Sequence, residues 1–168
     1  MVELPEEAGN ISVPNWEFNI IFQLSHVYNH LLHEGIGLRQ IIDYYYLLKS
    51  NTNCTNDTNE VGFEETLNYF GLEKIAGAMM WVLNEVLGLP EDYLIAPKDE
   101  KRGKVLLAEI MKGGNFGHYD AENQKANNAI KKNLQRVKRD IRMVRYFPSE
   151  CLWEPVFRIY HYFWRMTH

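Results

Sequence analysis

Apolar residues recur along most of the chain with a spacing near 3.6, and no run of strictly alternating positions marks a strand. The pattern predicts a helix over about residues 15–33, opened by Pro14-Asn15, and a second over about 38–49, after breaks at Gly35 and Gly37. SNTNCTNDTNE (50–60) is a polar loop and the clearest internal boundary. Short helices follow over about 62–70 and 72–87, stopped by Gly71 and Gly88. LPEDYLIAPKD reads as a connector with room for one helical turn. Further helices are expected over about 98–112, over about 122–145, and from near Ser149 to about Trp164, the last kinked or divided at Pro155. The expected architecture is all-α, an irregular bundle of about six to seven helices without internal repeats. An acidic lead-in (1–14) precedes a single helical domain (15–168), in which the loop over 50–61 separates the first helical pair from the remainder.

At 100° per residue the first helix divides into two faces. Ile20, Ile21, Leu24, Val27, Tyr28, Leu31 and Leu32 form the core stripe. Asn19, Gln23, His26, His30 and His33 share the other side, which is polar yet carries no Lys, Arg, Asp or Glu. A solvated face ordinarily carries long charged side chains, so a covered face is expected. On the second helix Arg39, Asp43 and Tyr46 cluster, while Ile41, Ile42, Tyr44, Tyr45 and Leu48 make up the rest. The glycine-rich turn favours an antiparallel pair, in which Arg39 and Asp43 form an i,i+4 ion pair and reach across to the histidines.

Several chemistries compete for that stripe. His26 and His30 have the i,i+4 spacing of a two-imidazole metal site, but the H-E-x-x-H zinc motif is absent. A lone helical pair is a weak signal, and no metal ligand is assigned. A metal-dependent hydrolase built on His26, His30 and Asp43 is the sharpest form of that reading. No serine or cysteine is tied to the stripe by spacing, which disfavours a nucleophile–base site. The preferred reading is a buried or half-buried polar seam of neutral, hydrogen-bonded histidines. The alternative is a seam lining a cleft shared with another domain, where a ligand reaches it.

KGGNFGHYD (112–120) fails the phosphate-loop test: no strand precedes it, and neither G-x-x-x-x-G-K-[ST] nor G-x-G-x-x-G occurs. It reads as a helix cap at Gly113 or Gly114 and a tight turn at Gly117. Downstream, eight bases from Lys125 to Arg145 face one acid, Asp140. Against a net charge of −4, this local excess of seven leaves the remainder strongly acidic. With Ile130, Leu134, Val137, Ile141 and Val144 as a narrow stripe, the segment is an amphipathic helix with a broad basic face. A solvated face balancing the acidic remainder is preferred. The functional alternative places Lys131, Lys132, Arg136, Lys138, Arg139 and Arg142 on nucleic acid or nucleotide phosphates. The closing stretch ECLWEPVFRIYHYFWRMTH is dense in aromatics, as cores and interfaces are, with Arg158, His161 and Arg165 along one edge.

The 168 residues suffice for one domain with a real core, and 46% hydrophobic content argues against disorder. No stretch approaches the roughly 18 uninterrupted apolar residues of a membrane span. MVELPEEAGN has the composition of neither a signal nor a transit peptide. Cys54 and Cys151 match no zinc or redox spacing, so a cytoplasmic setting is expected.

HLLHEGIGLRQIIDYYYLL, GGNFGHYD and FPSECLWEPVFRIYHYFWR, in this order and spacing, resemble the C-terminal helical part of an uncharacterised Bacteroidetes nucleotidyltransferase family of the polymerase-beta-like superfamily. The resemblance covers roughly 15–165, and E-G-I-G-L-R-Q is its most specific element. It places His26, His30, Glu34, Arg39, Gln40, Asp43, Asn115, Phe116, Pro148, Trp153, Arg158, His161 and Arg165, with the glycines 35, 37 and 117, at family-pattern positions; DYYYLL departs from the usual Asp-Trp form. Such transferases require a Gly-Ser turn and D-x-[DE] carboxylates that hold two metal ions. This chain has no Gly-Ser pair, and its only D-x-[DE] is Asp120-Ala-Glu122, in a polar turn. The resemblance therefore implies an accessory domain that is inactive alone, with Mg2+ expected only on a catalytic domain supplied in cis or in trans. His26, His30, His33, Arg39, Asp43, Asn115, Arg158 and His161 are the candidates for lining its nucleotide or acceptor cleft. The alternative is a standalone binding or regulatory module that uses the basic helix on RNA or an acidic protein.

Overall fold

The computed structural model describes residues 2–3, 10–33, 35–50, 63–113, 137–138 and 141–167. The fold is all-α; among the described residues the extended structure is one two-residue antiparallel pair, β1 (Val2–Glu3) with β2 (Asn10–Ile11), in the lead-in that sequence patterning left without structure. The helices are α1 (Trp16–His33), α2 (Leu38–Ser50), α3 (Phe63–Tyr69), α4 (Glu73–Trp81), α5 (Glu100–Gly113) and α6 (Pro148–Thr167). A π-helical turn over Val82–Val86 continues α4, and a 3-10 turn over Glu91–Tyr93 occupies the connector.

Local chemistry sets these boundaries. Asn15 caps α1, its Oδ1 accepting the Phe18 amide at 2.9 Å, and Asp99 caps α5 through the Arg102 amide at 2.9 Å. Gln40 reaches back so that its Oε1 accepts the Gly37 amide at 3.0 Å, which fixes the start of α2. Gly71 and Gly88, at φ 67° and 70°, take the left-handed conformation that ends the preceding helical segments. The Leu72 amide then reaches back to the Leu67 carbonyl at 2.7 Å. α6 begins with Pro148 at its first position, where a missing N–H costs nothing.

α1 and α2 form the expected antiparallel pair: the Trp16 indole at the start of α1 donates to the Leu47 carbonyl near the end of α2 at 3.0 Å. Trp16 also meets Phe63 of α3 edge-on, with ring centroids 5.7 Å apart. The core joins Ile20, Leu24 and Leu31 of α1, Ile41, Tyr44 and Leu48 of α2, Ile75 and Met79 of α4, and Leu106 and Ile110 of α5. α4 and α5 approach closely because of two glycines. A β-carbon on Gly103 would lie 2.5 Å from the Trp81 ring, and one on Gly77 would lie 3.0 Å from the Pro97 carbonyl. Met143, Phe147 and Cys151 fasten the start of α6 to this core, Phe147 resting on Tyr28 with centroids 5.4 Å apart. The Arg102 guanidinium reinforces the attachment, its Nε donating to the Tyr146 carbonyl at 2.9 Å.

Pro155 does not divide the last helix. α6 runs through it from Pro148 to Thr167, because an internal proline removes one backbone donor while the turns on both sides keep theirs. Most of the basic segment predicted over 122–145 lies outside the described residues; 137–138 and 141–143 within it are helical. Among the described residues no helix is long and apolar enough to cross a membrane.

Candidate functional site

α1 turns its apolar stripe inward, and the opposite face is half-buried to exposed. Ile20, Leu24, Val27, Tyr28, Leu31 and Leu32 are buried, and Ile21 packs at the edge. Along the expected buried or half-buried seam Asn19, Gln23 and His30 are half-buried and His26 is exposed, and Arg39 and Asp43 of α2 do not close over it. The reason is geometric. α2 meets the core through Ile41, Tyr44 and Leu48, and its Arg39–Asp43 side points to water.

Among the described residues no ion pair joins Arg39 and Asp43, and neither holds a histidine in place. In water such a pair gains at most about 0.5 kcal/mol, and Arg N-terminal to Asp is the weaker i,i+4 order. His26 and His30 instead meet each other, with Nε2 atoms 3.1 Å apart, one protonated and one accepting. Their rings stand edge to face, with centroids 4.4 Å apart and planes at 83°. Phe22 stacks on His26 with planes 10° apart, and Phe18 stacks on Phe22 at 11°. The outcome is an exposed ladder of two phenyl and two imidazole rings. Patterning identified the histidines and missed the phenylalanines that order them, although i,i+4 spacing (18, 22, 26, 30) was the available signal.

His161 is exposed on α6 beside Trp164, with ring centroids 5.8 Å apart. His33 and Arg158 are placed by their backbones within α1 and α6. Asn115, Lys131, Lys132, Arg136 and Arg139, together with Asp120 and Glu122, lie outside the described residues. Of the basic-helix candidates, Lys138 is exposed, whereas Arg142 is paired with Glu109 of α5 at 3.3 Å. Among the described residues no three or more His, Cys, Asp or Glu side chains converge on a metal position.

A groove of about 1020 Å³ opens between α3, the first turns of α4, the 94–98 connector and the start of α5. No sequence-predicted candidate lines it. Its rim carries Glu64, Glu65, Glu73, Asp99 and Glu100 against Lys74, Lys98 and Arg102, an acidic balance that disfavours an anionic nucleotide. Two of its cations are engaged. Lys98 Nζ donates to Glu91 at 2.9 Å, Glu85 at 3.0 Å and Asn84 at 2.7 Å, which clamps the connector over the π-helical turn. The hydrogen bond to Glu91, followed by that to Glu85, raises the Lys98 pKa, and the same bond lowers that of Glu91. Burial pushes the Asp99 carboxyl up, but bonds from the Arg102 amide and guanidinium outweigh it and hold the group below the usual carboxylate range.

α6 presents a run of exposed apolar side chains. Beyond Cys151 every described side chain is exposed, including Leu152, Trp153, Val156, Ile159, Tyr160, Phe163, Trp164 and Met166. By helical register these eight apolar residues share one side, opposite His161 and Arg165. Trp153 at 70% and Phe163 at 61% exposure are far from resting states for such rings in water. Compared with family models, curated proteins and solved structures, the chain matches none, and its functional reading rests on its own residues.

Proposed function

We propose that this chain is the helical accessory part of a bacterial, cytoplasmic nucleotidyltransferase and works docked against a catalytic domain that supplies the Gly-Ser turn, the D-x-[DE] carboxylates and their Mg2+ ions. The observation that carries the reading is the apolar side of α6. Exposed patches beyond a few hundred Å² mark interaction surfaces, and four aromatic rings able to bury about 150–250 Å² each stand on this one. The uncharged ladder on α1 suits the same role as a second covered or cleft-facing surface. The transfer chemistry belongs to the partner, and this chain contributes scaffold and wall. The rival use of the basic segment on RNA loses one of its cations, because Arg142 is already engaged by Glu109.

Two measurements test the proposal. The purified chain with Mg2+ or Mn2+ is expected to show only background nucleotide transfer, and steady turnover would overturn the assignment. Mixed with the nucleotidyltransferase catalytic domain encoded in frame with it or beside it, the chain is expected to elute as a one-to-one complex. Trp153 and Trp164 emission should shift to the blue as the complex forms. Elution as separate species, or steep salt-dependent binding to generic RNA instead, would count against the proposal.

A further inference from the structure

Residue spacing alone made His26 and His30 a weak metal pair, but the atomic geometry is more specific. An ion 2.05 Å from both Nε2 atoms, which are 3.1 Å apart, would subtend about 98° between them, within the range from octahedral to tetrahedral coordination. From this we propose that His26 and His30 form a two-imidazole site for a late first-row transition-metal ion, of the Zn2+, Ni2+ or Cu2+ class.

Three further features favour the assignment. The stack of Phe18, Phe22 and His26 holds the first imidazole in orientation, so less ring freedom is lost on binding. α1 contains no Lys or Arg, and its only formal charge is Glu17, so no nearby cation on the helix opposes the ion. His26 is exposed, which leaves the remaining coordination positions open to water or to an exchangeable ligand. The donor set selects the metal class. Imidazole nitrogens suit Zn2+, Ni2+ and Cu2+, whereas Mg2+ and Ca2+ require oxygen ligands. Binding needs both Nε2 lone pairs, so the proton shared between the rings must move to an Nδ1 position as the ion enters. The site stands on α1 alone and is independent of the nucleotidyltransferase reading.

The experiment titrates the full chain with ZnCl2 or NiCl2 by calorimetry, with excess Mg2+ as a competition arm. One equivalent is expected to bind and to resist Mg2+. His26→Ala and His30→Ala should each weaken binding by about tenfold or more, since losing one of two inner ligands costs no less than losing an outer partner. Gln23→Ala on the same face and His161→Ala on α6 should leave binding unchanged. In 15N spectra both Nε2 resonances should move together on Zn2+ addition. Equal binding by wild type and His26→Ala, displacement by Mg2+, or no saturable binding at millimolar metal would each overturn the site. His26 is exposed and His30 only half-buried, so the alanine variants are expected to keep the wild-type helical spectrum.

Discussion

α4 and α6 are both rich in apolar side chains, and the chain treats them in opposite ways. In α4, Ile75, Ala76, Ala78, Met79 and Met80 are buried, and glycines at 77 and 103 bring the neighbouring backbone and the Trp81 ring within contact. Among the described side chains of α6 only Cys151, near its start, is buried, and the apolar ones beyond it are exposed. A helix that small residues allow to be closely packed gains dispersion and burial within its own chain. A helix carrying Trp, Tyr and Phe on one open side gains them only when a second surface arrives. The first kind of surface sets stability and the second sets association, so substitutions in the two helices should separate those properties.

The largest effect should come from breaking the packed region. Leu106 is fully buried on α5, and Leu106→Ala is expected to cost about 3 kcal/mol, read as a lower urea midpoint with unchanged slope. Gly103→Ala should come next. Alanine gains about 1 kcal/mol of helix propensity over glycine, so a surface glycine would stabilise when replaced. Here the new β-carbon would sit 2.5 Å from the Trp81 ring and 2.8 Å from Trp81 Cβ, an atom that cannot move without its backbone. A net loss of about 1–2 kcal/mol is expected, and a gain in melting temperature would disprove the close contact.

Tyr44 sharpens the comparison from within the core. It is the largest fully buried side chain, and among the described residues nothing bonds its hydroxyl. Tyr44→Phe should therefore stabilise by about 1 kcal/mol at neutral pH, since it removes a buried polar group without leaving a cavity. Burial also raises the Tyr44 pKa above the ordinary phenol value of 10.0. The folded state thus holds this proton more tightly than the unfolded chain does. That contribution is complete below pH 10.0 and is lost as pH rises through the folded-state value. The advantage of the phenylalanine variant should accordingly widen above pH 10.0, as shown by paired urea melts. A constant difference between the two proteins would place the hydroxyl in contact with water.

Helix positions were legible because they depend on local rules. Asn15 as a cap, Gly71 and Gly88 as stops and the 3.6 period all act within a few residues. What escaped the sequence depends on distant geometry. The Arg102 bond to the Tyr146 carbonyl spans 44 positions, and the three partners of Lys98 come together only when the connector folds over the π-helical turn. The histidine stripe is legible as an uncharged polar face, half-buried at Asn19, Gln23 and His30, but nothing local says whether its cover lies within this chain. Of the two outcomes expected at Pro155, a kink or a division, the division does not occur, since α6 continues through it. The acidic groove went unseen because its lining comes from four separate segments.

The smallest expected effect on stability is the most informative one. Phe163→Ser combined with Trp164→Ser replaces two exposed aromatic rings on α6 with small polar groups. If nothing in the chain covers that side, the folded protein loses no packing, and the double variant should unfold within about 0.5 kcal/mol of wild type. Its association with the proposed catalytic partner should nevertheless fall by at least about tenfold, because interface energy concentrates in buried aromatic anchors. The two readings fail differently. A loss of 2 kcal/mol or more in the isolated chain, the cost of emptying a packed aromatic site, would mean that α6 is covered by its own chain and that the contrast with α4 is wrong. Unchanged stability with unchanged association would leave the contrast intact and move the docking surface elsewhere, with the exposed ladder on α1 next in line.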